Sequence, residues 1–221
     1  MQIKAVFLDL DGAIVGSNDQ HILAWEEAFA GGGASFERQT IHDQIGKGTD
    51  MLVPALLPEA DEAQRTNLGE MHGTIFSAKY LNTIRPLAQT HDLVRYAHNR
   101  GQRVILASSA SKSKVAHYID FLDASDLIAE AASGDPVEKT KPAPDAFAAA
   151  IEKLPGIAPA EIVVVGDTPY NIEAANRCGI AAIAVRSGGF LDEQLQSVGV
   201  ITIYNDVAAL LAGYATSPLG R

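Results

Sequence analysis

The sequence predicts an α/β fold, a doubly wound parallel sheet with an all-helical unit inserted after its first strand. Three observations carry that reading. Short apolar runs at 3–9 (IKAVFLD), 103–109 (RVILASS) and 161–167 (EIVVVGD) are rich in Val, Ile and Leu without clean alternation. Strands buried on both faces read this way because neither face meets water. Helical segments alternate with these runs from residue 88 onward, the order that builds a parallel sheet with helical crossovers. Residues 16–84, between the first and second runs, hold no convincing strand.

Taken in order, the first strand ends in DLDG, residues 9–12. A helix over 20–30 follows, with Ile22, Trp25 and Phe29 on one packing face and Gly31, Gly32 and Gly33 as its stop. Further helices are expected over 49–57 and 61–81. Together they make a helical cap, 16–84, joined by linkers near 15–18 and 82–86 to a core of 1–15 and 85–221. The helix over 88–99 stops at Gly101 before the second strand, and 111–121 follows that strand. Residues 144–154 lead toward the third strand, and 169–178 follows it, opened by Pro169 and closed by Gly179. Weaker strands are expected at 179–185 and 199–204, and the final ATSPLGR reads as a loose tail. A chain of 221 residues is long for one minimal domain and short for two, which suits one core with one insertion.

Composition narrows the function classes. Hydrophobic residues make up 47% and charged residues 20%, which supports a buried core rather than disorder. A formal charge of −10 argues against nucleic acid or an anionic membrane as partner. It leaves an anionic small molecule open, because a bound cation and a few lysines set the local field. The single cysteine, Cys178, can form neither an intrachain disulfide nor a multi-thiolate zinc site, and reads as a small core residue. The N-terminus reads as a strand, and no run is long enough to span a bilayer. A cytoplasmic monomer or small homo-oligomer is expected.

Each main strand ends in a polar residue: Asp9 with Asp11, Ser108 with Ser109, and Asp167. In open, Rossmann-like sheets ligands bind outside the carboxyl ends of the strands, so three segments aim at one place. Asp9 and Asp11 stand two residues apart on an extended chain and share one side, with Leu10 turned to the core. Close carboxylates repel and resist ionisation unless a cation joins them. A hard ion with oxygen ligands, Mg²⁺, resolves the conflict, with Asp9, Asp11, Asp167 and Asn171 as its candidate ligands. Gly12 lets the chain turn and brings backbone N–H groups toward an anion. Lys141, on the extended stretch before Pro142, can neutralise both Asp9 and a phosphoryl oxygen.

The order DxDG, strand-end Ser, Lys-Pro and GDTPxN resembles the haloacid dehalogenase superfamily of phosphotransferases, over essentially the whole chain. The resemblance implies that Asp9 attacks phosphorus to form an aspartyl-phosphate and that Asp11 is the acid for the leaving group and the base for water. It implies that Ser108 binds the phosphoryl group, that Lys141 is the family's lysine and that Asp167 is the fourth motif's metal ligand. It also implies a helical cap that closes over a small phosphorylated metabolite. Three positions depart from the pattern. Ala13 stands where Thr is usual, Gly16 where an aspartate is common, and Asn171 near where a second acid is often found. Ser109 joins the substrate-binding candidates, with helix capping as its alternative. His21 matches a cap histidine of β-phosphoglucomutases, as a substrate or acid-shuttle residue. Lys47, between Gly46 and Gly48 in a flexible loop, is expected to face substrate. The expected activity is a Mg²⁺-dependent phosphatase. A sugar phosphomutase and a catalytically silent binding protein are the alternatives.

Overall fold

The computed structural model describes residues 2–108, 112–128, 130–131 and 139–221. Among these, the strands β1 (Ala5–Leu8), β2 (Arg103–Leu106), β3 (Glu130–Ala131), β4 (Ile162–Gly166), β5 (Ala181–Val185) and β6 (Thr202–Tyr204) form one sheet, all parallel, in the order β3-β2-β1-β4-β5-β6. The strand β1 is central, with Phe7 opposite Ile105 on one side and Val164 on the other. Chain order reverses direction across β1, so the carboxyl ends of β1, β2 and β4 flank the crevice where such sheets bind ligands.

Helices cover both faces, which explains why the strands lack alternation. On one face Val6, Leu8, Val104, Leu106, Val163 and Val165 pack with α5 (Thr90–Asn99), α6 (Lys112–Phe121) and α10 (Val207–Ala212). On the other, Ala5, Phe7, Ile105, Ile162 and Val164 pack with Phe147 of α7 (Asp145–Glu152), Ile172 of α8 (Pro169–Arg177) and Leu195 of α9 (Asp192–Ser197). Burying one such side chain stabilises the fold by roughly 1.5–3 kcal/mol, so two-sided burial makes these short strands the anchor of the site above them.

The helical insertion lies between β1 and β2 and comprises α1 (Asn18–Gly31), α2 (Arg38–His42), α3 (Thr49–Leu56) and α4 (Glu62–Ile75). It has its own apolar cluster, including Ile22, Trp25, Phe29, Ile41, Leu52, Val53 and Leu68. The helix α4 starts with an Asp61/Gln64 capping box and continues as a wider π turn over Phe76–Tyr80 and a 3-10 turn over Leu81–Thr83, so the expected single helix over 61–81 is three pieces. The two connections between insertion and core run side by side: Gly16 N–H donates to Arg85 O (3.0 Å), beside a bridge between Val15 and Pro86.

The C-terminal tail is docked, not loose. Leu219 and Ser217 are buried, Gln102 Nε2 donates to Leu219 O (2.8 Å), and Ile3 N–H donates to Arg221 O (3.1 Å). The amino ends of β1 and β2 thus supply the donors that hold it. The strand β3 and the short helices α2, α9 and α10 carry too few residues to show a period, and the sequence did not reveal them. No described helix is long and apolar enough to cross a membrane.

Candidate active site

At the end of β1, Asp9 is 6% exposed and both its carboxylate oxygens are engaged. Lys141 Nζ donates to Oδ1 (2.7 Å) and Asn171 Nδ2 donates to Oδ2 (2.8 Å). Lys141 is itself buried and also donates to Ala107 O at the end of β2 (3.2 Å). An ammonium buried at 2% exposure needs such partners, since an uncompensated buried charge costs several kcal/mol.

Asp167 follows β4 and is fully buried. Asn18, the first residue of α1, donates from Nδ2 to Asp167 Oδ2 (2.8 Å). Among the described residues, Asp167 Oδ1 and Asn18 Oδ1 are buried without a hydrogen-bond partner. Burial, and then the charge of Asp9, push the Asp167 carboxyl well above its ordinary range. Two buried carboxylates thus share one ammonium, and oxygens beside them lack partners. That all-oxygen, anion-rich donor set fits a hard cation. No three His, Cys, Asp or Glu side chains among the described residues form a metal cage on their own. Mg²⁺ commonly rests on one or two carboxylates with water and substrate phosphate completing its shell, so the fit holds with Asp9, Asp167 and Asn18 Oδ1 as the protein's share.

Asn171 corrects the expected ligand set. Its Oδ1 accepts from Thr168 N (3.0 Å) and Thr168 Oγ1 (2.7 Å), and its backbone N–H donates to Thr168 Oγ1 (3.2 Å), closing a capping box on α8. The donors at Thr168 fix which end of the amide is oxygen. Asn171 therefore turns its NH₂, not its carbonyl, toward Asp9, and offers a cation no lone pair.

Asp11 belongs to a different network from Asp9. Its Oδ1 accepts from Ser17 Oγ (2.6 Å), lies 3.3 Å from His21 Nε2 and takes a long contact from Tyr118 OH (3.5 Å). Burial alone would raise the Asp11 carboxyl. The electrostatic attraction of His21 and then Lys114, with the Ser17 hydroxyl, outweighs it and holds the carboxyl well below its usual range. Burial lowers His21 itself, against the raising charge of Asp11.

Gly12 adopts a left-handed φ of 76°, and a Cβ there would collide with the Asp167 carboxylate and the Asn18 amide. Its N–H donates to Val15 O (2.8 Å), closing the turn, so it is not aimed at an anion. The residue permits close approach and does not supply a donor.

Insertion and core enclose a cavity of about 580 Å³ lined by Asp9, Asp11, Ser108 and Lys141 from the core and by His21, Trp25, Lys47 and His72 from the insertion. Ser108 is buried at the end of β2. Lys47 lies over the Tyr170 ring (4.5 Å), and burial lowers its ammonium. Ser109 lies outside the described residues.

This arrangement has counterparts. Haloacid dehalogenase-like hydrolases match residues 3–179 as a family. The chain belongs to that family. It is 28% identical over 193 residues to fructose-1-phosphate phosphatase YqaB of Escherichia coli (strain K12), which covers 82% of this chain and 95% of that one. It is 25% identical over 217 residues to phosphoglycolate phosphatase of Rhodospirillum rubrum, covering 94% and 89%. A crystal structure of a hydrolase from Pseudomonas syringae superposes with a TM-score of 0.88 at 25% identity, covering 96% and 98%. Within this hydrolase, Asn18, His72, Lys114 and Thr140 join the site without a motif to announce them. Only His72 and Phe76 left a trace, an i, i+4 ring pair facing the His21 and Trp25 pair of the preceding helix.

Proposed function

We propose that this hydrolase is a Mg²⁺-dependent phosphatase for a small phosphorylated metabolite, working through an aspartyl-phosphate on Asp9. One observation carries the reading: a buried carboxylate at the sheet's switch point, held on one oxygen by a buried lysine and on the other by an amide. Both donors fix the carboxylate's orientation, and orientation is much of what a nucleophilic step needs. In the first step an Asp9 oxygen attacks phosphorus, the bond to the ester oxygen breaks, and Asp11 gives that oxygen its proton. In the second, Asp11 takes a proton from water, whose oxygen attacks the phosphorus and releases Asp9 and phosphate. The free site favours ionised Asp11, ready for the second step, and an arriving phosphoryl anion raises its proton affinity for the first. Lys141 and Ser108 hold the phosphoryl oxygens. A cation on Asp9, Asp167 and Asn18 would offset the charge that accumulates as the two anions meet.

The cavity suits a leaving group of a few carbons, enclosed by the helical insertion. The insertion, 16–84, opens and closes on the paired connections at Gly16 and Arg85. Fructose 1-phosphate and phosphoglycolate head the substrate panel because they name the relatives' activities. Asp9→Asn should abolish turnover in a folded protein, and wild type quenched during turnover should carry one phosphoryl group on Asp9 by peptide mass. Near-native turnover by Asp9→Asn would remove Asp9 from this role. Phosphate released to solution marks a phosphatase, whereas phosphate moved within one sugar marks the mutase.

A further inference from the structure

Two i, i+4 pairs interlock behind Asp11. His21 and Trp25 project from α1, and His72 and Phe76 from the end of α4 and the turn after it. His21 lies flat on Phe76, with ring centroids 4.0 Å apart and planes 9° from parallel. Trp25 lies flat on His72, at 4.2 Å and 12°. The imidazoles meet at their edges, His21 Nδ1 to His72 Nε2 at 3.1 Å, and the far nitrogen of His21 lies 3.3 Å from Asp11 Oδ1, off hydrogen-bond alignment and without another partner among the described residues. Lys114 Nζ sits 4.0 Å over the Phe76 ring.

The proton positions follow from the network. The His21 nitrogen that faces a carboxylate must carry hydrogen, since a lone pair there would be repelled. A neutral imidazole has one N–H, so His21 Nδ1 is bare and must accept. His72 Nε2 must then carry the hydrogen between them. Burial, with Lys114 nearby, favours the neutral form of both rings. The N–H groups point in one direction, from His72 to His21 and from His21 toward Asp11.

We propose that His72 is a positioning residue for the acid–base step: its Nε2–H locks His21 in the tautomer and ring orientation that donate to Asp11 Oδ1. Without that donor His21 can place its hydrogen on Nδ1 and present a lone pair to the carboxylate. Ser17, His21 and Tyr118 all approach Asp11 through Oδ1. The inference rests on Asp11 as the acid and base proposed above.

The test compares His72→Phe, which keeps a ring against Trp25 but has no donor, with His72→Gln, which restores an N–H near the Nε2 position. Acid assistance matters for an alkyl phosphate and little for p-nitrophenyl phosphate, whose leaving group departs unprotonated. His72→Phe should slow aspartyl-phosphate formation from the alkyl ester, read in a single turnover, roughly tenfold to a hundredfold, within the general range of acid–base contributions, while formation from the aryl ester slows no more than about threefold. His72→Gln should recover most of the loss. Imidazole ¹⁵N spectra of the wild type should show His21 protonated on Nε2 and bare on Nδ1. Equal losses on both esters, no loss on either, or no recovery by His72→Gln would overturn the proposal. A wild-type His21 carrying its hydrogen on Nδ1 would do so even if neither variant folds. Asp11→Asn separates the two levels. If it spares aspartyl-phosphate formation from the aryl ester and His72→Phe does not, His72 alone is misassigned; if it slows that step equally for both esters, the acid role of Asp11 is wrong.

Discussion

Asp167 and Asn171 show how one atom's direction decides a role. Asp167 is a buried carboxylate beside another, and its folded-state proton affinity is raised by burial and by Asp9. A group raised in this way contributes stability below its unfolded pKa and loses it as pH rises through the folded value. At neutral pH without a cation, Asp167 therefore weakens the fold. Asp167→Asn should raise the melting temperature of the metal-free protein by about 2–8 °C, taking ~1–2 kcal/mol at roughly 2–4 °C per kcal/mol. It should also abolish any rise that wild type gains from Mg²⁺. Calorimetry with and without Mg²⁺ checks both, and a Mg²⁺-induced rise that survives Asp167→Asn would place the ion elsewhere. Asn171→Asp acts oppositely. It replaces an N–H donor to Asp9 with a like charge, losing a charge-assisted bond of roughly 1.5–3 kcal/mol, so the metal-free melting temperature should fall by about 3–12 °C. A side chain that ligated the ion would instead make Asn171→Asp bind Mg²⁺ more tightly without that loss.

At the scale of elements, the loop before α3 carries the contact between insertion and core. Gly48 N–H donates to Thr140 Oγ1 (2.9 Å), and the Asp50 carboxylate accepts from Thr140 N–H (3.0 Å) and from its hydroxyl. Thr140 directly precedes Lys141, so the insertion grips the backbone that delivers the lysine to Asp9. A Cβ on Gly48 would collide with Thr140, and one on Gly46 would press on Thr168. These glycines let the loop lie on the core. Thr140→Val should therefore cost activity more than stability. The expected kcat loss is roughly tenfold to a hundredfold, as for a small misplacement of a catalytic group. The half-buried site should shift the melting temperature by no more than about 2 °C. Gly48→Ala should act alike, by wedging the insertion off the core. Unchanged kcat in both variants would sever the loop from Lys141.

Across the whole molecule, the C-terminal tail ties the two ends of the chain. Leu219 is buried in the cluster under the sheet, Tyr214 OH donates to Gln102 Oε1, and Gln102 Nε2 reaches both Ile3 O (3.1 Å) and Leu219 O (2.8 Å). Deleting residues 217–221 removes a buried leucine, worth about 2–3 kcal/mol, and leaves Gln102 short of a partner. The melting temperature should fall by about 4–12 °C while KM stays near wild type, because the tail lies at the end of the sheet opposite the site. A truncation without thermal cost would return the tail to a loose segment.

The core was legible because two-sided burial writes itself into composition: IKAVFLD, RVILASS and EIVVVGD are apolar throughout since helices cover both faces. The strand-end residues Asp9, Asp11, Ser108 and Asp167 were legible for a related reason. A parallel sheet delivers successive strand ends to one crevice, so their convergence follows from strand order alone. The helical insertion showed in the period of Ile22, Trp25 and Phe29 against the absence of strands. Asn18, His72 and the Thr140 clasp carry no such period, because each is defined by what lies across a gap from it. The NH₂ of Asn171 and the closed turn at Gly12 were decided the same way, by donors at Thr168 and by Val15 O. Sequence fixes which residues reach the crevice, since that depends on chain order. Tertiary structure decides which atom each presents there, since a hydrogen bond binds one direction and leaves the other for chemistry.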